Sequence, residues 1–287
     1  MSGWILLDKP EGMSSNRAMC KIRGLLGKKT GYVGTLDPFA QGMLPIAVGE
    51  ARKFIQYVDD ARKEYTFDIS FGYETDTLDR CGRITVSNGF VPTDDDILGV
   101  LENFVGVIEQ IPPIFSAINI HGERAYRLAL SGADSVQMVP RNVEIFSLKY
   151  LGKHRFNCVC SKGTYIRSLV RDICHKLGTY GHTKFLRRER ISFIDSKYAK
   201  SMENIEEEVY NNNVNMLPIE FALTDISAVT LSDEHVRRLQ NGLDRFTNMN
   251  FIDNQKYRVF RESDGKFCGI VEAYDGNKIR PLRMCIL

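Results

Sequence analysis

The strongest constraint on the fold is the alternation of apolar and polar residues in "EYTFDISFGY". Large apolar side chains occupy every second position of this stretch: Tyr65, Phe67, Ile69 and Phe71. Successive side chains of a β-strand point to opposite faces, so this pattern predicts a strand with one face buried and one exposed.

Further strand patterns occur in "WILLDKP", "FSAINIHG", "VEIFSLKYL" and "RFNCVCS". Helical spacing of apolar residues occurs in "SSNRAMCKIRGLLG", "EARKFIQYV", "DDDILGVLENFVG", "RAYRLALSG" and "TYIRSLVRDICHKLG". Hairpin-like neighbours outnumber strand-helix-strand alternation. The expected class is therefore α+β, with a largely antiparallel mixed sheet flanked by helices.

Two domains are predicted. The stretch "MENIEEEVYNNNVNM" is acidic and then rich in asparagine, which is typical of a linker or a cap. Residues 226–287 contain short strand patterns around "SDG" and "YDGN" turns, as in a small β-rich domain. We place the catalytic domain at 1–225 and the second domain at 226–287.

The bulk composition predicts a cytoplasmic protein. The seven cysteines are scattered, and no stretch approaches the roughly 18 apolar residues that a membrane span requires. The N-terminus lacks the basic and long apolar regions of a secretory leader, so reduced thiols are expected. A net charge of +2 permits nucleic-acid binding without arguing for it.

Metal and nucleotide cofactors are not expected. Cys158 and Cys160 lie near three other possible ligands, but no pair has the C-x-x-C or H-x-x-x-H spacing of a metal site. The stretch "GLLGKKTG" lacks the Gly-Lys-Ser/Thr of a phosphate loop, and no dinucleotide fingerprint follows a strand. Adjacent Cys174 and His175 cannot pair within one helix.

The carboxylate of Asp37 stands among apolar residues and glycines in "GYVGTLDPFAQGMLPIAVGE". A turn-forming aspartate is the simpler interpretation, since Pro38 biases Asp37 away from helix. An isolated buried carboxylate, however, needs a cationic partner to remain ionised. Arg167, which opens a predicted helix in "SKGTYIRSL", could bind it through two parallel hydrogen bonds.

Two basic stretches, "KIRGLLGKK" and "TKFLRRERI", contain aromatic and apolar residues among the charges. The second supplies Lys184, Leu186, Arg187 and Arg188, and Tyr32 follows the first. Basic groups interleaved with aromatics suit a phosphate backbone and unstacked bases, whereas a solvated charged face is the alternative.

Five sequence blocks in order across residues 3–194 resemble the TruB family of tRNA pseudouridine-55 synthases. They are "WILLDKPEGMSSN", "GTLDPFAQGMLPIAVGEARKF", "KEYTFDISFGYETDTLDRCG", "QIPPIFSAINIHGERAY", and "CSKGTYIRSL" with "FLRRERI". The resemblance implies the pseudouridine-synthase fold and a C-terminal PUA-like domain that contacts tRNA. It also implies isomerisation of the T-loop uridine-55 after base flipping, without metal or cofactor.

The resemblance also implies residue roles. Asp37 would be the nucleophile, Tyr65 would stack on the flipped base and help move the C5 proton, and Arg167 would hold Asp37 ionised. Among the binding residues, Leu186 would line the uracil pocket, and Lys9 with Pro10 would support its floor. Lys184 and Arg187 are expected on the RNA-binding surface.

Two positions depart from the family pattern. Tyr32 stands where the family usually has a histidine in the space that the flipped base vacates, so we expect an effect on flipping rather than on chemistry. Asn119 replaces a lysine, which should remove one phosphate contact and lower the salt slope of binding by about one.

Two other functions are compatible with the sequence: a guide-RNA-dependent synthase in a ribonucleoprotein, and an RNA-binding or tRNA-folding protein without turnover. The triple Asp37, Tyr65 and Arg167 favours an enzyme acting on the T-arm of tRNA, with a monomer as the expected state. Residues 118–140, rich in small residues near "LSGADSVQM", are expected to be a mobile RNA-binding insertion.

Overall fold

The computed structural model describes residues 2–120, 122–131, 137–243, 245–246 and 249–285, with 245–246 described as backbone only. The strands are β1 (Gly3–Lys9), β2 (Thr30–Tyr32), β3 (Gln41–Val48), β4 (Lys63–Phe71), β5 (Tyr73–Thr75), β6 (Ile84–Ser87), β7 (Gly106–Gln110), β8 (Asn119–Ile120), β9 (Glu123–Arg124), β10 (Arg141–Tyr150), β11 (Arg155–Cys160), β12 (Gly181–Ile191), β13 (Ile194–Asp195), β14 (Ser227–Leu231), β15 (Arg245–Phe246), β16 (Lys256–Arg261), β17 (Phe267–Tyr274) and β18 (Lys278–Met284). The α-helices are α1 (Ser15–Leu26), α2 (Ile55–Asp59), α3 (Asp94–Val100), α4 (Ala125–Leu130), α5 (Ile166–Lys176), α6 (Met202–Tyr210) and α7 (Asp233–Gln240). Short 3-10 segments cover Gly49–Phe54, Leu101–Phe104, Ser196–Tyr198 and Ile219–Leu223.

A nine-stranded sheet forms the centre of the molecule, in the order β1-β3-β12-β4-β11-β10-β7, with β2 also paired to β3 and β13 to β12. All of its pairings are antiparallel except that of β3 with β12. The predicted α+β class with a largely antiparallel mixed sheet is confirmed. The alternating stretch is β4, whose odd-numbered side chains are buried and whose even-numbered ones are half-buried.

Strand β1 has both faces buried, which explains its unbroken apolar run. Ile5 and Leu7 belong to the cluster that packs under α1 and α5. Trp4 and Leu6 belong to a second cluster on the opposite face. A strand that is covered on both faces has a continuous run of apolar residues instead of alternating apolar and polar ones.

A second, five-stranded sheet follows in the order β14-β16-β17-β18-β15. It has a small core of its own, around Val229, Val259 and Ile279. The second cluster of the main sheet also includes Phe267 and Ile270 from this sheet, so the two sheets share a hydrophobic contact.

The sequence interpretation was wrong in two local respects. Residues 202–210 form helix α6 rather than a linker, with the Ser201 hydroxyl accepting a hydrogen bond from the Asn204 amide at 3.2 Å as its N-cap. The glycines and the proline between residues 28 and 42 predict a loop over that whole stretch, but β2 and the start of β3 lie within it.

The predicted insertion at 118–140 contains the short β8–β9 pair and helix α4. His121 and residues 132–136 lie outside the described residues, and the mobility of this segment stays a prediction.

Candidate active site

Asp37 lies on the loop that joins β2 to β3, and two neighbouring segments fix this loop. The Ser15 hydroxyl at the start of α1 donates to the Leu36 carbonyl at 2.9 Å and accepts from the Leu36 amide at 2.8 Å. The Gly12 amide donates to the Pro38 carbonyl at 2.8 Å. The residues on both sides of Asp37 are therefore held by hydrogen bonds, which restricts the position of its carboxylate.

Arg167, in the first turn of α5, is the partner of Asp37. Its Nε lies 2.8 Å from Oδ2 of Asp37, and its Nη2 donates to Oδ1 at 3.0 Å. The remaining donors bind carbonyls, Nη1 that of Thr77 at 2.8 Å and Nη2 also that of Phe115 at 2.9 Å. Arg167 is only 3% exposed, so its guanidinium is held in place from several sides.

Burial raises the pKa of Asp37 above its ordinary value, and the Arg167 guanidinium opposes this effect. The carboxylate of Asp79 contributes to the higher pKa and lies 3.9 Å from Nη1 of Arg167. The carboxylate of Asp37, whose side chain is 29% exposed, is thus only partly desolvated, and the ion pair with Arg167 favours its anionic form.

A cavity of about 530 Å³ opens above this pair. Tyr65 from β4 and Leu186 from β12 line it together with Asp37 and Arg167. Tyr65 is buried, and burial raises the pKa of its hydroxyl to about 12.

The cavity is surrounded by an excess of positive charge. Its acidic lining residues are Asp37 and Asp59. Its basic lining residues are Lys63, Arg124, Arg141, Lys162, Arg167 and Arg188. Such an excess suits a polyanionic ligand whose uncharged part enters the cavity.

Lys9 lies beneath the cavity rather than in its lining. Its fully buried ammonium group donates to the carbonyls of Pro10 at 2.9 Å, Met13 at 2.6 Å and Pro38 at 3.4 Å. Burial lowers the pKa of Lys9 to about 8. Lys9 thus ties the segment after β1 to the loop of Asp37, and Pro10 itself is exposed.

The other predicted binding residues lie outside the cavity lining. Tyr32 is half-buried against the cluster under α1 and α5, and Lys184 is exposed on β12. Arg187 makes two hydrogen bonds to the carboxylate of Asp8, at 3.0 Å and 2.9 Å. Contacts of these three residues with RNA stay a prediction.

No role in the site was given to Asp79 or Arg188 by the sequence analysis. Asp79 contacts Arg167, but nothing in its surrounding sequence distinguishes it from a turn aspartate. Arg188 was predicted only as part of a basic stretch that either contacts RNA or forms a solvated face. The solvated face does not hold for Arg188, because this residue is fully buried and lines the cavity. Arg188 lies two residues after the buried Leu186 on β12. The burial of Arg188 can be inferred only when the strands that pair with β12 are known.

Within the described residues no group of three or more His, Cys, Asp or Glu side chains is arranged to hold a metal ion. The helices described there include none that is long and apolar enough to cross a membrane.

The sequence matches two family models. Residues 22–166 match the TruB family pseudouridylate synthase N-terminal domain, and residues 227–285 match the Pseudouridine synthase II TruB C-terminal model. A tRNA pseudouridine synthase B of Caulobacter vibrioides is 42% identical over 250 residues, covering 84% of this chain and 80% of the relative. The protein of the same name from Ehrlichia chaffeensis is 36% identical over 297 residues, covering 99% and 95%.

Among solved structures, an H/ACA ribonucleoprotein bound to a substrate RNA containing 2'-deoxyuridine has a chain that superimposes with a TM-score of 0.75. The alignment covers 99% of this chain and 85% of that one at 21% sequence identity. A Cbf5-Nop10-Gar1 complex gives a TM-score of 0.73 at 22% identity, covering 99% and 84%. At this level of identity the likeness shows the shared fold and nothing more.

Proposed function

The chain belongs to the TruB family of pseudouridylate synthases, and from this membership we infer that it converts uridine to pseudouridine at position 55, in the T-loop of tRNA. The observation that carries the proposal is the Asp37–Arg167 pair at the base of a cavity lined by six cations. The isomerisation breaks a C–N bond and makes a C–C bond at the same sugar carbon, so the overall reaction needs no oxidant or second substrate.

Asp37 is the proposed nucleophile. Asp37 lies half-buried at the base of the cavity, which a uridine stacked inside the folded T-loop cannot enter, so the base must leave its stack, at a cost of a few kcal/mol. The two contacts with Arg167 fix both oxygens of Asp37, which orients the carboxylate before the substrate arrives. Partial desolvation makes the same carboxylate more reactive once it is ionised.

Tyr65 and Leu186 are the proposed walls of the uracil site. Tyr65 lines the cavity, where its ring would offer a face for stacking and its hydroxyl would help to move the C5 proton. Leu186 supplies an apolar contact on the adjacent strand.

Residues 226–287 are the proposed second RNA-binding domain, and 1–225 the catalytic one. The division into two domains is supported by the separate five-stranded sheet. An RNA-binding role is supported by basic side chains of this sheet, such as Arg283, which lines a pocket together with Arg52 and Lys53. We also propose that the protein works as a monomer, and that it works in the cytoplasm, because its relatives are bacterial tRNA-modifying enzymes. Sedimentation of the free protein and of its tRNA complex tests the stoichiometry.

The function is tested by locating the product. An unmodified tRNA transcript is incubated with the protein, treated with a carbodiimide that marks pseudouridine, and read by primer extension. A single stop one nucleotide 3′ of position 55 is expected, and a transcript with cytidine at position 55 should give no stop. Stops at other positions would contradict the proposal. So would the absence of any stop when the protein is shown to bind the tRNA.

A further inference from the structure

Arg188 is a buried guanidinium that the proposed chemistry has not used. It lies on the central strand β12 and has no exposed surface. Its Nε donates to the Met43 carbonyl at 2.8 Å, and its Nη2 donates to the carbonyls of Gly34 at 3.0 Å and Val33 at 3.3 Å. These bonds use one edge of the guanidinium and fix its orientation.

The second terminal nitrogen, Nη1, makes no hydrogen bond of normal geometry among the described residues, although the Arg188 guanidinium lies close enough to the Tyr65 hydroxyl to oppose the rise in its pKa. Six buried side-chain atoms of the described chain share this condition, and four of them belong to residues that line the cavity: Ser116, Arg141, Arg167 and Arg188. Of these four atoms, Nε of Arg167 still lies 2.8 Å from the Asp37 carboxylate. Leaving a buried donor unpaired costs free energy, which a ligand supplying an acceptor would recover.

The position of Nη1 favours a base over a phosphate as that ligand. Arg188 is paired with Tyr65 in the β12–β4 register, and Leu186, two residues earlier, lies on the same face of the strand. Both neighbours are walls of the proposed uracil site. The exposed Arg124, by contrast, lies nearer to solvent, where a phosphate would remain.

Gly34 leaves the approach to Nη1 open. A Cβ at this position would lie 2.9 Å from Nη1, and the residue has a φ of +62° that side chains rarely adopt. A glycine at this point therefore keeps the donor accessible from the loop that carries Asp37.

We propose that Arg188 is a catalytic residue of this reaction, whose Nη1 donates a hydrogen bond to a carbonyl oxygen, O2 or O4, of the flipped uracil. When the C1'–N1 bond breaks, its electron pair goes to the uracil ring and is delocalised onto these oxygens. The guanidinium stabilises that charge and keeps its own proton. The proposal rests on the proposed function, because it requires a uracil in the cavity.

The test compares Arg188→Lys with wild type on a T-arm RNA under single-turnover conditions. Lysine keeps the charge but cannot hold three carbonyls and also reach the base. We expect RNA affinity within about threefold of wild type and a rate lowered by roughly 10²-fold, as when one positioned donor is removed. Arg155→Lys is the matched control, since Arg155 pairs with Asp68 at 2.7 Å outside the cavity and should keep the wild-type rate.

Thio-substituted substrates separate a contact with the base from a structural role. Sulfur accepts hydrogen bonds weakly, so either 2-thiouridine or 4-thiouridine at the target should slow the wild type by about tenfold while slowing Arg188→Lys little further. If Arg188→Lys does not fold, Gly34→Ala provides the same comparison, because its methyl group would cover Nη1.

A wild-type rate in Arg188→Lys, or thio effects of equal size in wild type and variant, would overturn the assignment. Failure of the proposed function would look different, since the wild type itself would then not convert uridine in unmodified RNA.

Discussion

At the scale of single residues, the active site consists of charges that are fixed before any substrate binds. Arg167 contacts both oxygens of Asp37 and two carbonyls from separate loops. The guanidinium fork matches a carboxylate in a way that a lysine ammonium cannot. The cost of moving charges during the reaction is therefore small, because they already lie where they are needed.

Replacing Arg167 by lysine should lower the single-turnover rate by roughly 10²- to 10³-fold, the range found for removal of one positioned charge contact. The expected change in tRNA affinity is small, because Arg167 is buried beneath the carboxylate. Stopped single-turnover assays and equilibrium binding measure the two quantities separately. A variant with the wild-type rate would show that the pair is only structural.

Lys9 should give the folded protein a distinctive dependence on alkaline pH. The pKa of Lys9 in the folded state is about 8, against an ordinary value of 10.5. Between these values the unfolded chain holds a proton that the folded chain has released, so the free energy of unfolding rises with pH. Lys9→Met removes this increment, which is on the order of 3 kcal/mol over the whole window.

Urea unfolding of wild type and Lys9→Met at several pH values from 8 to 10.5 measures this difference. The stability of wild type relative to the variant should increase across the series. Parallel curves would mean that Lys9 keeps the same proton in both states.

At the scale of elements, the site depends on the one parallel pairing of the main sheet. Strand β3 follows the Asp37 loop, and β12 carries Leu186 and Arg188. Their register places Gly42 opposite Arg188. A Cβ on Gly42 would contact the Arg188 carbonyl oxygen and lie 2.9 Å from its amide nitrogen, and its φ is +104°.

Gly42→Ala should therefore lower the free energy of unfolding by roughly 2–5 kcal/mol, from backbone strain together with overpacking. Gly12→Ala is the matched control, because Gly12 has a φ of +78° but nothing within 4 Å of the added Cβ. Backbone strain alone should lower the free energy of unfolding of Gly12→Ala by roughly 1–2 kcal/mol. Chemical denaturation measures the free energy of unfolding of both variants. Equal losses in Gly42→Ala and Gly12→Ala would show that the close approach of Gly42 to the Arg188 backbone does not contribute.

Strands and helices whose apolar residues recur at a regular spacing were predictable from sequence. The neighbouring strands with which each strand pairs were not. The alternation of β4 and the helical spacing of α5 are local properties, and both elements form as predicted. The burial of Arg188 depends on β12 lying between β3 and β4, which are far from it in sequence. Without knowledge of the pairing of β12 with β3 and β4, a run of basic residues predicts a solvated surface.

At the scale of the whole molecule, the two sheets share one apolar cluster. Phe267 of β17 packs its ring edge against Phe54, with the ring centroids 5.3 Å apart. Trp4, the one tryptophan of the chain, belongs to the same cluster. Tryptophan fluorescence therefore reports on the packing of this shared cluster.

Phe267→Ala should lower the free energy of unfolding by about 3–5 kcal/mol, because it leaves a cavity between the sheets. Fluorescence and circular dichroism should still shift together, since a shared core couples the two parts. Tyr210→Ala, which removes a side chain that is 87% exposed, should change stability by less than about 0.5 kcal/mol. Two separate transitions in wild type would contradict the shared core.

The most direct test of the central claim is tritium release from tRNA that carries 5-tritiated uridine, comparing wild type with Asp37→Asn. Asparagine keeps the size of the side chain but cannot act as a nucleophilic carboxylate. We expect the wild type to release tritium equivalent to one uridine per tRNA, and Asp37→Asn to release none while binding the same tRNA. Release by Asp37→Asn at the wild-type rate would contradict the role of Asp37 as the reacting group.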